Sequence, residues 1–315
     1  MNAIDTRLTD IWSDVHVGAD GLSADVDGSP IDAQTVRDVE ISLGVAIYDR
    51  FHARRSEIID AFGFAHIRDV DFESALHDVV KDVTTEAEVV PTGDHEGIVE
   101  GVLVDFAASP TPAFEGESAA TTITLPAVRP HLTPGFFLVR STSRAEPIGG
   151  PIVRLYVRIE SADDALATWQ TVISTLQPLS TAWQAKILSH PSNYPRADAL
   201  VVYLPQPSWG AASALAREIP AARTSTGPVS MFANGLADGV TMAFEPDDRR
   251  PGNEALSFGQ HRSRAVAQAL MRARGLGLEA YTAEVERSLI DARIDPFDVS
   301  RNLSSPSSWA LGVHG

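Results

Sequence analysis

The sequence predicts an α+β protein, with a mainly helical N-terminal part followed by a mixed β-sheet domain with flanking helices. Three observations lead to this prediction. Apolar residues recur every three or four positions in two segments before residue 81, as they do on amphipathic helices. From residue 99 onward, short runs of β-branched and aromatic residues are bounded by Pro and Gly, which is typical of strands. Between residues 152 and 188, two such runs flank a helical pattern, which predicts a β-α-β unit.

The N-terminal part contains two predicted helices. The first covers residues 34–62, with Asp32 as its expected cap, and its apolar stripe consists of Val36, Val39, Leu43, Ile47 and Phe51. The second covers residues 71–80, where Asp71 is the expected cap and Phe72 and Leu76 begin the stripe. The acidic stretch 86–100 reads as a connection between elements.

Strands dominate the sequence that follows. Residues 99–106 form the first predicted strand, and the small and proline-rich segment 107–121 is expected to be a loop. We therefore divide the chain into an acidic, mainly helical region, residues 1–120, and an α+β domain, residues 121–315. The first strands predicted in that domain are 122–125 and 136–139.

The β-α-β unit consists of strand 152–159, helix 163–176 and strand 182–188. In the first of these strands Arg154, Tyr156 and Arg158 alternate with apolar residues, so they share the face opposite the expected core. Solvent or a polar pocket must receive them. The remaining predicted elements are a strand at 199–204 and helices at 213–218, 264–274 and 279–291.

Composition excludes several classes of function. The 315 residues include no cysteine, which rules out disulfides, a thiolate nucleophile and zinc-thiolate sites. The N-terminus has no basic region followed by an apolar run, and no stretch of about 18 apolar residues occurs. We therefore expect a cytoplasmic protein that neither crosses a membrane nor is exported.

The net charge of −17 argues against nucleic-acid binding, because neutralising backbone phosphates requires a cationic surface. Residues 1–130 hold 25 Asp or Glu and 8 Lys or Arg, whereas residues 131–315 hold 17 of each kind. The neutral part can thus gather arginines around an anion. The acidic part is expected to stay solvated or to face a cationic partner.

Lysine is rare in this chain. Only Lys81 and Lys186 occur among 25 cationic residues. Lysine can lose its proton near neutral pH in a suitable environment and arginine cannot, so Lys186 is a candidate general base. The alternative is that Lys186 is an ordinary surface cation.

The other candidate site residues also lie in the neutral part. Several arginines together would suit a phosphate dianion, and elimination from a phosphorylated serine or threonine would need a base and an acid besides. His261 is favoured over His190 as the acid, because Gly259 and Arg262 beside it predict a tight, anion-facing turn. The nine histidines show no metal-ligand spacing, so no metal is expected. The candidates are Lys186, His261 and Tyr203 for catalysis, Arg154, Arg196, Arg262 and Arg158 for phosphate binding, and Tyr156, Tyr194 and Asp198 for substrate binding. The alternative for each arginine is an ordinary ion pair with a carboxylate.

Four segments resemble, in order, the motifs of the HopA-type effector domain. They are residues 132–139, residues 153–157, Lys186-Ile187-Leu188 with residues 194–203, and residues 257–262. The resemblance covers roughly residues 130–275, and a weaker echo lies at residues 48–52.

This resemblance implies the lyase component of class V lanthipeptide or thioamitide synthetases. Such a protein eliminates phosphate from phosphoserine or phosphothreonine in a precursor peptide, giving dehydroalanine or dehydrobutyrine, and uses no cofactor. The implied partners are the phosphorylated precursor peptide and a kinase-like phosphotransferase subunit. The alternative is a non-catalytic scaffold that binds the peptide or stabilises the kinase-like subunit. A hydrolytic phosphatase is disfavoured, because cysteine and metal-ligand clusters are missing.

Overall fold

A computed structural model describes residues 4–55, 68–99, 101–106, 114, 119–129, 132–141, 151–222 and 227–307. The helices in these ranges are α1 (Arg7–Asp14), α2 (Val36–Ile47), α3 (Val70–Val80), α4 (Ala162–Leu176), α5 (Ala211–Ala222), α6 (Phe258–Arg272) and α7 (Leu278–Asp291). A π-helical segment, Tyr48–Ala53, directly continues α2. Within the described ranges, no helix is both long and apolar enough to cross a membrane.

The strands form three sheets in which every pairing is antiparallel. The first has the order β1-β2-β3, with β1 at Val15–Val17, β2 at Ser23–Val26 and β3 at Ser29–Asp32. The second has the order β6-β5-β4-β7, with β4 at Thr84–Pro91, β5 at Glu96–Val99, β6 at Val102–Asp105 and β7 at Thr121–Pro126. The third, which we call the central sheet, has the order β12-β13-β9-β11-β10-β8. Its strands are β8 (Phe136–Arg140), β9 (Ile152–Ile159), β10 (Gln184–Leu188), β11 (Arg196–Pro205), β12 (Asn234–Ala237) and β13 (Val240–Phe244).

The central sheet lies between two helical layers. On one face the apolar side chains of β9 pack with α3, α4 and α5, around the fully buried Trp169. On the other face α2, α6 and α7 pack in a second core that includes Leu43, Tyr156 and Leu270. Burial of large side chains on both faces is the main source of stability for such a three-layer arrangement.

The alternation predicted for β9 is confirmed, and the structure shows what packs against the polar face of this strand. Arg154, Tyr156 and Arg158 are only 7%, 2% and 5% exposed. The π-helical segment and α6 cover this face, so a polar interior and not solvent surrounds these side chains.

The predicted α+β class is confirmed, with corrections in detail. The N-terminal part contains strands as well as helices, and residues 86–100 are not a connection, because most of them form the β4–β5 hairpin. The central sheet is antiparallel and not mixed. Strands β9 and β10 run in the same direction, but β11 lies between them and pairs with both.

The first predicted helix differs at both ends. It begins at Val36, because Thr35 and not Asp32 caps it by accepting a hydrogen bond from the Asp38 N–H at 3.1 Å. Its last turns, 48–53, are π-helical, and residues 56–62 of the prediction lie outside the described residues. The cap of α3 is likewise Asp69 and not Asp71.

The division at residue 120 remains a prediction. Residues on both sides of it contribute to one apolar cluster, since Leu8, Val39 and Phe51 pack together with Val266 and Leu289. The N-terminal part therefore helps to build the polar site that the central sheet carries.

Candidate functional site

Four of the candidate residues meet on one face of the central sheet. The strand register places Lys186 opposite Val201 and Val201 opposite Tyr156, so these residues form one row. In the adjacent row Tyr203 is opposite Arg154. Rows two residues apart point to the same face, which brings Lys186, Tyr203, Arg154 and Tyr156 together.

Cations and aromatic rings alternate along this face. The Lys186 Nζ lies 4.3 Å from the Phe136 ring centroid and 5.8 Å from that of Tyr203, and the Arg154 Cζ lies 4.8 Å from the Tyr203 centroid. Distances of this size permit cation–π attraction. Lys186 and Tyr203 are half-buried. None of the described carboxylates forms an ion pair with Lys186. The amine therefore contacts the two rings and can also contact a ligand that binds beside them.

Arg154 is held by an acidic partner. Its guanidinium forms a two-point ion pair with Glu245 and donates to the Tyr156 hydroxyl at 3.4 Å. The side chain of Arg154 is 8% exposed and that of Glu245 is 31% exposed. Burial raises the pKa of Tyr156 above its usual range, although the charge of Arg154 opposes that shift. Tyr156 is therefore a neutral hydroxyl at neutral pH.

A second group lies around Asp198 and Arg196. Arg196 donates two hydrogen bonds of 2.7 Å to the Asp198 carboxylate, which also accepts one from the Tyr48 hydroxyl at 2.7 Å. Burial would raise the pKa of Asp198, but the Arg196 charge and these hydrogen bonds outweigh it and hold the pKa well below its usual range. Asp198 is thus a buried, fully paired carboxylate.

His52 lies at the centre of the polar face. Its Nδ1 is 2.7 Å from the Ser230 hydroxyl, its Nε2 is 4.0 Å from an Asp198 oxygen, and its ring meets Tyr156 edge-on at 5.0 Å. Burial lowers the pKa of His52 to about 4, opposed by the charge of Asp198; the arginines at 196, 154 and 262 lower it further. The charges of three of the four predicted phosphate-binding arginines therefore help to keep this histidine neutral.

Sequence reasoning missed both Tyr48 and His52 as members of this site. The amphipathic pattern of residues 34–62 treats them as ordinary helix positions. The available signal was the weak echo of the family motif at residues 48–52. The π-helical turn there is what positions both side chains over the sheet, in contact with Asp198 and Tyr156.

Gly259 lets α6 approach the histidine closely. A Cβ atom at this position would lie 2.2 Å from the His52 Cδ2 and 2.7 Å from the Tyr48 Cε2. Real Cβ atoms do not approach other atoms this closely, so only glycine fits without displacing the buried His52 ring and the half-buried Tyr48 ring.

Replacing Gly259 by alanine is expected to destabilise the protein by about 1–3 kcal/mol, the usual cost of overpacking a core. Urea unfolding followed by circular dichroism measures this free energy. Gly210→Ala is the matched control, because a Cβ at Gly210 would have no heavy atom within 4 Å. Equal stability of the Gly259→Ala protein and the control would contradict the described packing of His52 on α6.

His261 occupies a different environment from the one predicted. It lies in the first turn of α6 and not in a tight anion-facing turn. Its Nε2 is 3.2 Å from the Asp248 carboxylate, and its Nδ1 is 2.8 Å from the Arg262 guanidinium. Burial lowers the pKa of His261 to about 4, with the charge of Arg262 acting in the same direction. With both ring nitrogens engaged, this geometry gives no support to His261 as the acid.

The remaining candidates have structural partners. Arg262 is fully buried and donates to the carbonyls of Val299 and Arg301 and to the Asn302 side chain. Arg158 binds Glu160 and the Pro228 carbonyl. The Tyr194 hydroxyl donates to the Leu188 carbonyl at 3.0 Å. A phosphate group could bind these arginines only by replacing protein acceptors.

The site therefore has two linked parts. One is the group of Lys186, Tyr203 and Arg154 on the two adjacent rows, in which Lys186 and Tyr203 are half-buried and Arg154 is buried, and the other is the buried cluster around His52 and Asp198. Tyr156 joins them through Arg154 on one side and the His52 ring on the other. The first group is the more accessible part, and it combines an amine with a guanidinium, the group that binds anions through several donors.

Comparison with known proteins places this fold in a family. Residues 127–301 match the HopA1 effector protein family. Two solved structures are similar to the chain, both effector proteins from Pseudomonas syringae. The one from pathovar tomato strain DC3000 is 15% identical, with 86% of this chain and 91% of that chain covered and a TM-score of 0.46. The one from pathovar syringae strain 61 is 12% identical, with 84% and 92% covered and a TM-score of 0.44. No curated protein matches the sequence. Because the family match spans more than half of its residues, the chain belongs to the HopA1 effector protein family.

Proposed function

We propose that this protein is a lyase that eliminates phosphate from phosphoserine or phosphothreonine in a ribosomal precursor peptide, as part of lanthipeptide-type maturation. The observation that carries the proposal is the position of Lys186. Its amine is half-buried between two aromatic rings, has no carboxylate partner among the described residues, and shares the Tyr203 ring with the Arg154 guanidinium.

The proposed reaction needs a proton acceptor and an anion acceptor in one place. The Lys186 amine would remove the α-proton, and the electron pair left on the α-carbon would form the double bond as the C–O bond to phosphate breaks. The phosphate leaves with the electrons of that bond. Arg154 would stabilise the departing anion by exchanging Glu245 for it, because Glu245 is the more exposed member of that ion pair.

The phosphorylated substrate would come from a separate kinase-like phosphotransferase. The direct experiment incubates the purified protein with a synthetic phosphothreonine peptide. Elimination releases free phosphate and lowers the peptide mass by one phosphoric acid, giving an alkene. A product that regains the free hydroxyl would indicate hydrolysis and contradict the proposal.

A second candidate function is a non-catalytic subunit that binds the peptide or stabilises the kinase-like partner. The observation that favours it is the engagement of Arg154, Arg196, Arg158 and Arg262 by protein acceptors. Failure to release phosphate, both alone and with the kinase-like partner present, together with stable co-purification of that partner, would select this candidate.

Replacing Arg154 by alanine is expected to weaken binding of the phosphothreonine peptide by about 1.5–3 kcal/mol, the usual contribution of a charge-assisted hydrogen bond. Calorimetric titration measures the difference. Arg217→Ala is the matched control, because Arg217 is 70% exposed on α5, away from the polar face. Unchanged affinity of Arg154→Ala, in a protein that unfolds normally, would remove Arg154 from the phosphate site.

A further inference from the structure

The four-stranded sheet β6-β5-β4-β7 lies in a long acidic stretch of the chain. Residues 82–128 contain nine Asp or Glu and no Lys or Arg. Every strand of this sheet falls within that range. The sheet therefore sets up a uniformly negative field that attracts cationic groups and repels a second copy of itself.

The two faces of this sheet differ. Its inner face packs a small apolar cluster that includes Ala87, Val89 and Phe106. On the outer face Leu103 lies opposite Ile98, and Ile98 lies opposite Val90. These three side chains are 62%, 39% and 43% exposed. Together they form an exposed aliphatic row. Glu96 and Asp105 lie opposite each other on the neighbouring strands, on the same face and beside this row.

The row ends at an edge strand of the sheet. Strand β6 is the last in its sheet, and none of the described residues pairs with its outer side. Lys and Pro often protect natural edge strands, and the sequence Val102-Leu103-Val104-Asp105 contains neither. Its one charged residue, Asp105, disfavours an acidic strand but not a cationic one. An edge with exposed aliphatic residues is a template for another strand.

The hairpin geometry identifies the backbone groups that this edge offers. Val99 and Val102 pair across a two-residue turn, so the Val102 N–H is directed back toward β5. Backbone groups alternate along an antiparallel ladder, which directs the N–H of Leu103 outward.

We propose that β6 binds an extended segment of a partner protein, in which Lys or Arg alternates with aliphatic residues, as a fifth strand. Its aliphatic side chains would continue the row of Leu103, Ile98 and Val90. Its cations would lie beside Glu96 and Asp105, opposite in charge to the sheet. This surface is separate from the polar face of the central sheet, so the proposal does not depend on the lyase reaction.

The test uses a fluorescein-labelled peptide of alternating Lys and Val as the probe. Fluorescence anisotropy is expected to show binding that weakens with added salt, and hydrogen exchange is expected to show protection of the outward-directed Leu103 N–H on binding. Leu103→Lys should weaken binding about tenfold or more, because it places a like charge against the incoming strand. Leu276→Lys, which alters a leucine that is 57% exposed elsewhere, should bind as the unmodified protein does.

Three results would overturn the proposal. One is equal binding of a peptide of the same composition with its Lys and Val in separate blocks, which would show attraction without strand pairing. Another is the absence of exchange protection at the Leu103 N–H in the unmodified protein, a result that does not depend on whether a variant folds. The third is self-association that Leu103→Lys abolishes, which would assign the edge to a second copy.

Discussion

Replacing Lys186 by arginine is expected to reduce the rate of phosphate elimination at least about 100-fold, the contribution usual for a general base. Arginine keeps the positive charge and can stack between the Phe136 and Tyr203 rings as lysine does. It cannot give up its proton at neutral pH. The variant therefore separates the basic role of the amine from its charge.

The measurement is phosphate release from the phosphothreonine peptide at saturating concentration, with binding followed separately by calorimetry. Peptide affinity should stay within a few-fold of the unmodified protein, because the guanidinium of Arg154 is unchanged. The chain supplies its own control, since its other lysine, Lys81, is exposed at the end of α3. Lys81→Arg should leave elimination unchanged. Full activity in Lys186→Arg would exclude the amine as the base.

Strand β9 shows which features of the site the sequence predicts and which it does not. Alternation alone indicated that Arg154, Tyr156 and Arg158 share a face, because strand side chains alternate whatever the tertiary structure. Alternation does not indicate what packs on that face. The layer that buries these residues includes the π-helical segment, whose His52 contacts Tyr156 from more than 100 positions earlier in the chain. No local sequence pattern predicts such a contact.

The same limit applies to the partners of the arginines. Arg196 and Asp198 are two residues apart, so their ion pair could be anticipated from sequence. Glu245 meets Arg154 only because β13, a strand that the sequence analysis did not predict, pairs with β9. The prediction of a connection at residues 86–100 is wrong because it rests on their acidic charge. The alternation of acidic and apolar residues at the start of this stretch is typical of a half-exposed strand.

The buried histidines make the protein sensitive to acid. The free energy of unfolding is expected to fall by about 4 kcal/mol between pH 7 and pH 5, with His52 and His261 contributing about half each. Burial lowers the pKa of each from 6.5 to about 4, opposed by Asp198 beside His52 and by Asp248 beside His261. Both are therefore neutral in the folded protein throughout this range.

The sign follows from the unfolded chain. In the unfolded chain these two histidines take up protons as the pH falls below about 6.5, while in the folded protein they do not until about pH 4. The stabilisation is complete above pH 6.5 and is lost progressively between these two values. Asp198, whose pKa is held low, contributes in the same direction but only in more acidic solution.

Urea unfolding at half-unit steps from pH 7 to pH 5 measures the slope. His52→Gln should lower stability at pH 7 but remove about half of the pH dependence, because glutamine cannot take up a proton in the unfolded chain. Ser230→Ala is the control: it removes the hydrogen-bond partner of the His52 Nδ1 but no titrating group, so it should lower stability evenly and keep the slope. A slope unchanged in His52→Gln would show that His52 is not held neutral in the folded protein. The charges of the nearby arginines and carboxylates would then have to be assigned differently.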